Sequence, residues 1–379
     1  MKKFRLTIFL FVAATNLLAQ PTEKWPLEKA NAWYAKQPWF VGANFIPSTA
    51  INQLEMWQAE TFDATTIDRE LGFAESIGIN CARVFLHDLV YQQDPKGLLQ
   101  RMDTFLSIAD KHKIKIMFVF FDSVWDPFPH VGQQRDPRPG VHNSGWVQSP
   151  GKHALMDEKQ YPRLEQYVKA VTKRFANDKR IICWDIWNEP DNMNGDGYRS
   201  YEPENKVQLV TALMAKTFVW VRSQKPIQPL TSCLWDTESS TDKNVRELIE
   251  VQISNSDIIS FHSYAAADGF SKLATKLSSH GRPLICTEFM ARGNGSTFQA
   301  ILPVAKKMNI GAMCWGLVDG KSNTIYDWDS WRKPNKEEPK VWHHDVFRKD
   351  GTPFSQEEID LIKKMTGKNN LLKNYKNEN

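Results

Sequence analysis

The sequence lacks a marked excess of either charge. Its 379 residues carry 48 Lys and Arg against 44 Asp and Glu, a formal net charge of +4. Three of the basic residues, Lys2, Lys3 and Arg5, lie at the N-terminus, and the rest of the chain is close to neutral. Nucleic-acid-binding proteins usually present a strongly basic surface. The charge balance therefore argues against a nucleic acid partner.

Cysteine is scarce and shows no pattern. The five cysteines are widely separated, and each lies in an apolar segment: Cys81, Cys183, Cys233, Cys286 and Cys314. Disulfide frameworks belong to small loop-rich domains, and cysteine-bound metals need closely spaced pairs. We therefore expect buried free thiols and no metal site.

The apolar run at the N-terminus, Leu6 to Leu18, is too short to cross a bilayer, which takes roughly 20 residues. It follows a basic start and precedes the small residue Ala19, as in a secretory signal. We predict a signal peptide at residues 1–19 and a secreted or periplasmic mature protein without stable membrane insertion. An uncleaved N-terminal membrane anchor is the alternative.

Apolar runs of strand length recur along the rest of the chain. They are residues 39–45, 79–85, 114–121, 181–188, 229–235, 257–263, 283–288 and 310–316. Segments with helical periodicity lie between several of them, at 65–78, 98–113, 161–177, 207–224 and 241–252. This alternation predicts an α/β fold, a (β/α)8 TIM barrel. The alternative fold is a doubly wound open sheet, but no glycine-rich phosphate-binding motif follows the first apolar run.

Two connections are too long to be simple turns. They follow the third and eighth predicted strands, at residues 122–151 and 317–354, and are rich in aromatic residues. Barrel active sites are built from loops at this end of the strands. We predict one catalytic domain over residues 20–366 and a polar tail at 367–379.

Two glutamates mark the predicted strand ends. Glu189 follows the fourth strand and Glu288 ends the seventh, across the barrel mouth. Two carboxyl groups that face one cleft can break a glycosidic bond, with retention if they are about 5–5.5 Å apart and inversion if the gap is wider. The alternative is that each carboxylate caps a neighbouring helix or bonds surface groups.

The surroundings of the two glutamates predict different protonation states. Glu189 lies in WNEP, where apolar neighbours would raise its pKa, and Pro190 biases it away from helical backbone angles. Glu288 is expected near Arg83, His262 and Tyr264, of which the cation and the phenol would hold it ionised.

These residues resemble a known family. WNEP (187–190), PLICTE (283–288), FHSY (261–264) and CWG (314–316) are similar to the clan A glycoside hydrolases, most nearly the cellulase-like family 5, over residues 33–366. The resemblance implies a (β/α)8 fold, retaining hydrolysis and no cofactor.

The resemblance also implies roles for individual residues. Glu189 would be the acid/base and Glu288 the nucleophile. The residues expected around them are Asn188 at the sugar 2-hydroxyl, Arg83, His262 and Tyr264 as supports, and Trp315 as a platform under the sugar. The chain departs from the family at Asp122, where a histidine is usual, and at Thr287, where a glycine is frequent, so the precise family and substrate stay open.

Other residues are candidates for contact with a sugar. Asn44, at the end of the first strand, and Asp122 are predicted to bind substrate, although Asn44 could instead tie down its own loop. Aromatic candidates are Trp125, Trp146, Trp235, Tyr326, Trp328, Trp331 and Trp342, since aromatic rings stack on sugar faces. The pair His343 and His344 is expected to pack within its loop rather than bind metal.

The sequence therefore predicts a retaining glycosidase that acts on a β-linked polysaccharide or oligosaccharide of β-mannan, β-glucan or xylan type. The long loops favour a pocket for chain ends, although they could also extend an open groove. A sugar-binding barrel that is inactive or transglycosylating is the alternative. A nucleotide-dependent barrel would need a phosphate site after the last two strands, but the glycine-containing segment at residues 291–298 belongs to the loop that follows Glu288.

Overall fold

The computed structural model describes residues 23–195, 197–235 and 240–368. The predicted signal peptide, residues 1–19, lies outside the described residues. So does all but the first two residues of the predicted tail.

The core of the protein is one eight-stranded parallel sheet. The strands are β1 (Val41–Asn44), β2 (Cys81–Phe85), β3 (Lys115–Asp122), β4 (Ile181–Asn188), β5 (Leu230–Thr231), β6 (Ile259–His262), β7 (Leu284–Phe289) and β8 (Gly311–Cys314). Their order is β5-β4-β3-β2-β1-β8-β7-β6, so β1 and β8 are paired and the sheet curls into a barrel. Each of the eight predicted apolar runs overlaps one of these strands.

Helices cover the outside of this sheet. They are α1 (Leu27–Tyr34), α2 (Gln53–Trp57), α3 (Ala64–Ser76), α4 (Asp88–Gln93), α5 (Pro95–Lys111), α6 (Lys152–Met156), α7 (Tyr161–Phe175), α8 (Lys206–Ser223), α9 (Lys243–Asn255), α10 (Ala267–Ser278), α11 (Phe298–Lys307) and α12 (Gln356–Thr366). At least one helix follows every strand, so the predicted (β/α)8 barrel is confirmed.

The strands are buried on both faces because helices pack outside them and side chains fill the barrel. Trp184 on β4, for example, stacks on Phe118 and Phe120 of β3, with ring centroids 6.0 and 5.2 Å apart. Continuous apolar runs are what such doubly covered parallel strands require. The five cysteines are buried and unpaired, as predicted.

The seam between β5 and β6 differs from the rest of the barrel. The predicted run 229–235 yields a strand of only two residues. Side chains make some of the hydrogen bonds that backbone groups make between the other strands. The Asp257 carboxylate accepts from the Leu230 backbone N–H, and the Thr231 hydroxyl donates to the Ile258 carbonyl. A single bridge between Leu234 and Phe261 then brings the two edges together, so the barrel is nearly closed.

Two long loops rise above the carboxyl ends of the strands. The β3–α6 loop comprises residues 123–151 and the β8–α12 loop comprises residues 315–355, close to the two connections predicted from the sequence. In the described part of the chain, no helix combines the length and the apolar character needed to traverse a bilayer.

Candidate active site

Glu189 lies at the point where β4 ends. Its φ is +42°, so the backbone leaves the right-handed helical region as Pro190 predicts, but through positive φ. The residue is 7% exposed, and burial raises the pKa of Glu189 to about 7. Asn192 donates a hydrogen bond to its Oε2 at 2.7 Å, which opposes that rise.

Glu288 lies on β7, opposite His262 of β6. Its Oε1 is 2.7 Å from Arg83 Nη1, and its Oε2 accepts a hydrogen bond from the Tyr264 hydroxyl at 2.7 Å. Burial raises the pKa of Glu288, whereas His262, Arg83 and Tyr264 lower it. The predicted partners are thus present, and they favour the carboxylate as predicted, in opposition to the effect of burial.

The two carboxyl groups face each other with His262 between them. An oxygen of Glu189 and an oxygen of Glu288 lie within 4.8 Å of each other. His262 Nδ1 is 3.0 Å from Glu189 Oε1 and Nε2 is 3.4 Å from Glu288 Oε1. Burial lowers the pKa of His262 to about 3, so the imidazole is neutral and can donate from only one nitrogen. The resemblance implied His262 as a support around the pair, and its two ring nitrogens lie beside the two carboxyl groups.

Arg83 organises the floor of the site. It is 0% exposed, and its Nε and Nη2 donate to Asp185 Oδ2 at 2.9 and 2.8 Å. It also bonds Asn188 Oδ1 and Asn44 Oδ1, at 2.8 and 3.0 Å. One buried cation on β2 therefore fixes groups from three other strands, β1, β4 and β7.

The amide of Asn188 is held from both sides. Arg83 donates to its Oδ1, and its Nδ2 donates to Asp122 Oδ1 at 2.9 Å. Asp122 Oδ2 also accepts from the indole of Trp146 at 2.6 Å. One N–H of the Asn188 amide is left for a ligand in the cavity that this residue lines.

Two residues predicted to bind substrate occupy other positions. Asp122 does not line the cavity but lies behind Asn188 and Trp146, which do. Asn44 donates to the carbonyl oxygens of Thr287 and Cys314, at 2.7 and 3.1 Å, and is also absent from the cavity wall. Short polar side chains at strand ends are within reach of neighbouring strands, and both residues bond protein groups here, so their contact with substrate stays a prediction.

The cavity above the two glutamates has a volume of about 400 Å³. Of the residues predicted from the sequence, its wall contains Asn188, Glu189, Tyr264, Glu288 and Trp315. The aromatic candidates Trp125, Trp146, Trp235 and Trp328 also line it. Tyr326, Trp331 and Trp342 do not, and Trp331 stacks behind Trp125 with centroids 4.7 Å apart. Aromatic faces and a few polar groups are suited to a sugar ring.

The polar residues of the site that were missed from the sequence include Asp185, Asn192 and Asn143. Asp185 is the counter-ion of Arg83, and a lone acid inside an apolar strand is a signal for such a buried pair. Asn192 and Asn143 line the cavity from loops. No local pattern singles them out, because loop conformation places them.

The cluster of Glu189, His262 and Glu288 has the donor atoms of a metal site among the described residues. Arg83 already supplies a positive charge 2.7 Å from Glu288. A dication in this cluster would meet that cation directly, so these residues suit proton transfer better than metal binding. The pair His343 and His344 packs on Trp328 in the β8–α12 loop, with centroids 4.5 and 5.7 Å away.

Comparisons with known proteins identify the family of this chain. A curated mannan endo-1,4-β-mannosidase A from Emericella nidulans is 30% identical over 95 residues, 25% of this chain and 22% of that protein. The matched segment thus spans less than a quarter of the length of that relative. An exo-β-1,4-mannosidase from Opitutaceae bacterium strain TAV5 superposes with a TM-score of 0.60 at 17% identity, over 87% of this chain and 60% of that one.

A second solved structure shares the fold over nearly its whole length. The endo-1,4-β-mannanase from Rhizomucor miehei has a TM-score of 0.56 at 13% identity, over 88% of this chain and 95% of that one. The family model described as cellulase, glycosyl hydrolase family 5, matches residues 49–321, which include β2 to β8 and both glutamates. The chain therefore belongs to the cellulase family, glycosyl hydrolase family 5.

Proposed function

We propose that the protein is a retaining β-glycosidase for β-mannan-type substrates, with Glu189 as acid/base and Glu288 as nucleophile. One observation carries the proposal. The two carboxyl groups have oxygens within 4.8 Å of each other, which supports the close spacing of retaining enzymes, about 5–5.5 Å, over the wider spacing of inverting enzymes, about 6.5–9.5 Å.

The partners of the two groups support the assignment of roles. Glu288 accepts from a cation and a phenol, both of which favour the carboxylate form. Glu189 accepts from the neutral Asn192. When this coupled pair holds a single proton, it therefore resides on Glu189, whose pKa of about 7 keeps it available near neutrality.

The first step transfers the sugar to the enzyme. A carboxylate oxygen of Glu288 bonds to the anomeric carbon while the bond from that carbon to the departing oxygen breaks. Glu189 gives its proton to the departing oxygen, so a neutral alcohol leaves and a glycosyl ester remains on Glu288. The ester carries no charge, which lowers the pKa of Glu189 and prepares it to act as a base.

The second step frees the sugar. Glu189 takes a proton from a water molecule, whose oxygen attacks the anomeric carbon and displaces Glu288 as a carboxylate. Two inversions give net retention. In this proposal, the second N–H of the Asn188 side chain bonds the sugar 2-hydroxyl, and Trp315 stacks beneath the ring.

The choice of mannosides rests on relatives. The curated relative from Emericella nidulans is named a mannan endo-1,4-β-mannosidase, and the two solved structures are a mannosidase and a mannanase. Matched β-glucan and xylan oligomers belong in the same assay, because the sequence alone favours none of the three.

Separate Glu189→Gln and Glu288→Gln variants test the roles on two substrates. One is a mannooligosaccharide, whose departing alcohol needs a proton, and the other is dinitrophenyl β-mannoside, whose leaving group does not. We expect Glu288→Gln to lower kcat/KM by at least about 10³-fold on both, because no nucleophile remains. We expect Glu189→Gln to lower it by about 10²- to 10⁴-fold on the oligosaccharide and far less on the aryl substrate.

Two outcomes contradict the proposal. Equal losses for both variants on both substrates would remove the distinction between acid and nucleophile. Binding of mannooligosaccharides by the unmodified protein without hydrolysis would indicate a sugar-binding barrel instead.

We also propose that residues 1–19 direct export, on the basis of their basic and apolar pattern. N-terminal sequencing of the exported protein should then begin at Gln20. An intact Met1 would favour an uncleaved anchor.

A further inference from the structure

We propose that the enzyme acts on chain ends and releases one sugar at a time, because the cavity is closed on the side of the retained sugar. This inference rests on the proposed function, since the roles of Glu189 and Glu288 fix the direction in which a substrate lies.

The direction follows from the chemistry. Glu189 protonates the departing oxygen, so the part of the substrate that leaves lies on the side of β4 and β5. Trp235, just after β5, is a partly exposed aromatic residue of the cavity on that side. The retained sugar lies over Glu288 and Trp315, and its far end points towards the carboxyl ends of β8, β1 and β2.

A tryptophan of the β3–α6 loop fills the space at that far end. Trp146 is 2% exposed and packs edge-on against Phe85 at the end of β2 and Trp315 just after β8, with centroids 5.1 and 5.7 Å apart. Its indole N–H is fixed by Asp122 at 2.6 Å. A second sugar unit beyond the retained one would have to displace this ring.

The two long loops are joined behind Trp146. The backbone N–H of Asn143 donates to the Ser322 carbonyl at 2.8 Å, and the backbone N–H of His142 donates to the Ser330 hydroxyl at 2.9 Å. Near the rim, the backbone N–H of Asn335 donates to the Gly140 carbonyl at 2.9 Å. The β3–α6 and β8–α12 loops therefore form one continuous wall, whereas a groove for internal cleavage would need a gap here.

The same loops bear a polar group without a partner. Asn143 lines the cavity beside Trp146, is 1% exposed, and its Oδ1 has no hydrogen-bond partner among the described residues. A buried acceptor left unpaired is unfavourable until a ligand donates to it. The far end of a terminal sugar carries a hydroxyl that can donate, but in an internal sugar the linking oxygen has no hydrogen. Asn143 thus favours chain ends over internal units.

The first experiment follows products over time from mannopentaose labelled at its reducing end. End-wise action predicts free mannose from the first time point and labelled oligomers that shorten by one unit at a time. Early labelled dimers and trimers without free mannose would overturn the inference and leave the proposed function intact. Absence of cleavage of this oligomer, its glucan and xylan counterparts and aryl β-glycosides would overturn both.

A second experiment opens the wall away from the cavity. Gly140 has φ of +68°, and a Cβ there would lie 1.9 Å from the Asn335 carbonyl oxygen, so Gly140→Val must separate the two loops. We expect the ratio of mannose to longer products to fall several-fold. Gly132→Val is the matched control, because its φ is +94° in the same loop and no atom lies within 4 Å of its Cβ position. An unchanged product ratio in folded Gly140→Val would contradict the closed wall.

A third comparison tests Asn143 without backbone strain. Its φ is +45°, which both Asp and Gly tolerate. Asn143→Asp keeps an acceptor and Asn143→Gly removes it. We expect kcat/KM for mannooligosaccharides to be about threefold to tenfold lower in Asn143→Gly than in Asn143→Asp. A fall of this size corresponds to the loss of one hydrogen bond to the substrate. Equal values for the two variants would remove Asn143 from the recognition of chain ends.

Discussion

At the scale of single residues, the site works through differences between the partners of two similar carboxyl groups. Glu288 is bonded to a buried arginine and a tyrosine, and Glu189 to an asparagine from its own loop. The same burial raises the pKa of both, so the partners decide which one holds the proton. The distinction between acid and nucleophile therefore depends on neighbours rather than on the glutamates themselves.

Asn192 gives this idea a direct test. Activity requires protonated Glu189, so it is lost as pH rises through the pKa of that group, about 7. The bond from Asn192 stabilises the carboxylate and lowers this pKa. In Asn192→Ala the pKa of Glu189 rises, and we expect the basic limb of the kcat/KM profile to move up by about one pH unit. A limb that stays in place or moves down would contradict the assignment.

Sequence reasoning identified residues at strand ends better than residues in loops. Glu189, Glu288 and Tyr264 were predicted to surround one cavity because parallel strands end at the same rim, and the structure places them there. Asp122 was brought to the rim correctly, but whether its side chain faces substrate or a neighbouring strand depends on packing that spacing does not encode. Asn143 depends wholly on the course of a long loop.

At the scale of elements, the start of α8 anchors the loop that bears the acid. Lys206 is 0% exposed, and its ammonium group donates to Glu202 at 2.8 Å and to the carbonyls of Ser123 and Asn192 at 2.9 and 2.8 Å. Burial lowers the pKa of Lys206 to about 8, against the pull of Glu202. One helix terminus thus ties the β3–α6 loop to the β4–α8 loop (residues 189–205).

Replacement of Lys206 by Met leaves the carboxylate of Glu202 buried and without its ion-pair partner. We expect a loss of about 3–5 kcal/mol in the free energy of unfolding, as for other buried pairs deprived of one member. Urea unfolding measures the loss, with Lys206→Met/Glu202→Gln as the matched control. The double variant should regain part of the stability, because it leaves no buried charge without its ion-pair partner. A loss below about 1 kcal/mol in the single variant would show that the pair is not an anchor.

The elements themselves were largely predictable. Each apolar run overlapped a strand because both faces of a parallel barrel strand must be buried. The run at 229–235 gave the shortest strand because Thr231 and Asp257 use side chains where other strands use backbone. The sequence shows these polar residues, but it does not show that their side chains take the place of backbone hydrogen bonds between strands.

At the scale of the whole molecule, the barrel gathers at one rim the groups that the sequence spreads over more than two hundred residues. Arg83, Asn188, Glu189 and Glu288 come from three strands and meet around one cavity, and two loops close one side of it. Topology was readable from the alternation of elements and from the family's motifs. The closure of one side of the cavity could not be predicted, because it depends on contacts between two loops that are remote in sequence.

The central claim is that Glu288 attacks the sugar, and trapping tests it most directly. A 2-deoxy-2-fluoro-β-mannosyl fluoride slows both chemical steps but keeps a good leaving group, so the covalent intermediate accumulates. We predict that mass spectrometry of a peptic digest will find one sugar on the peptide containing Glu288 and none when Glu288→Gln is treated in the same way. A sugar attached to another residue, or hydrolysis with inversion and no trapped sugar, would contradict the account.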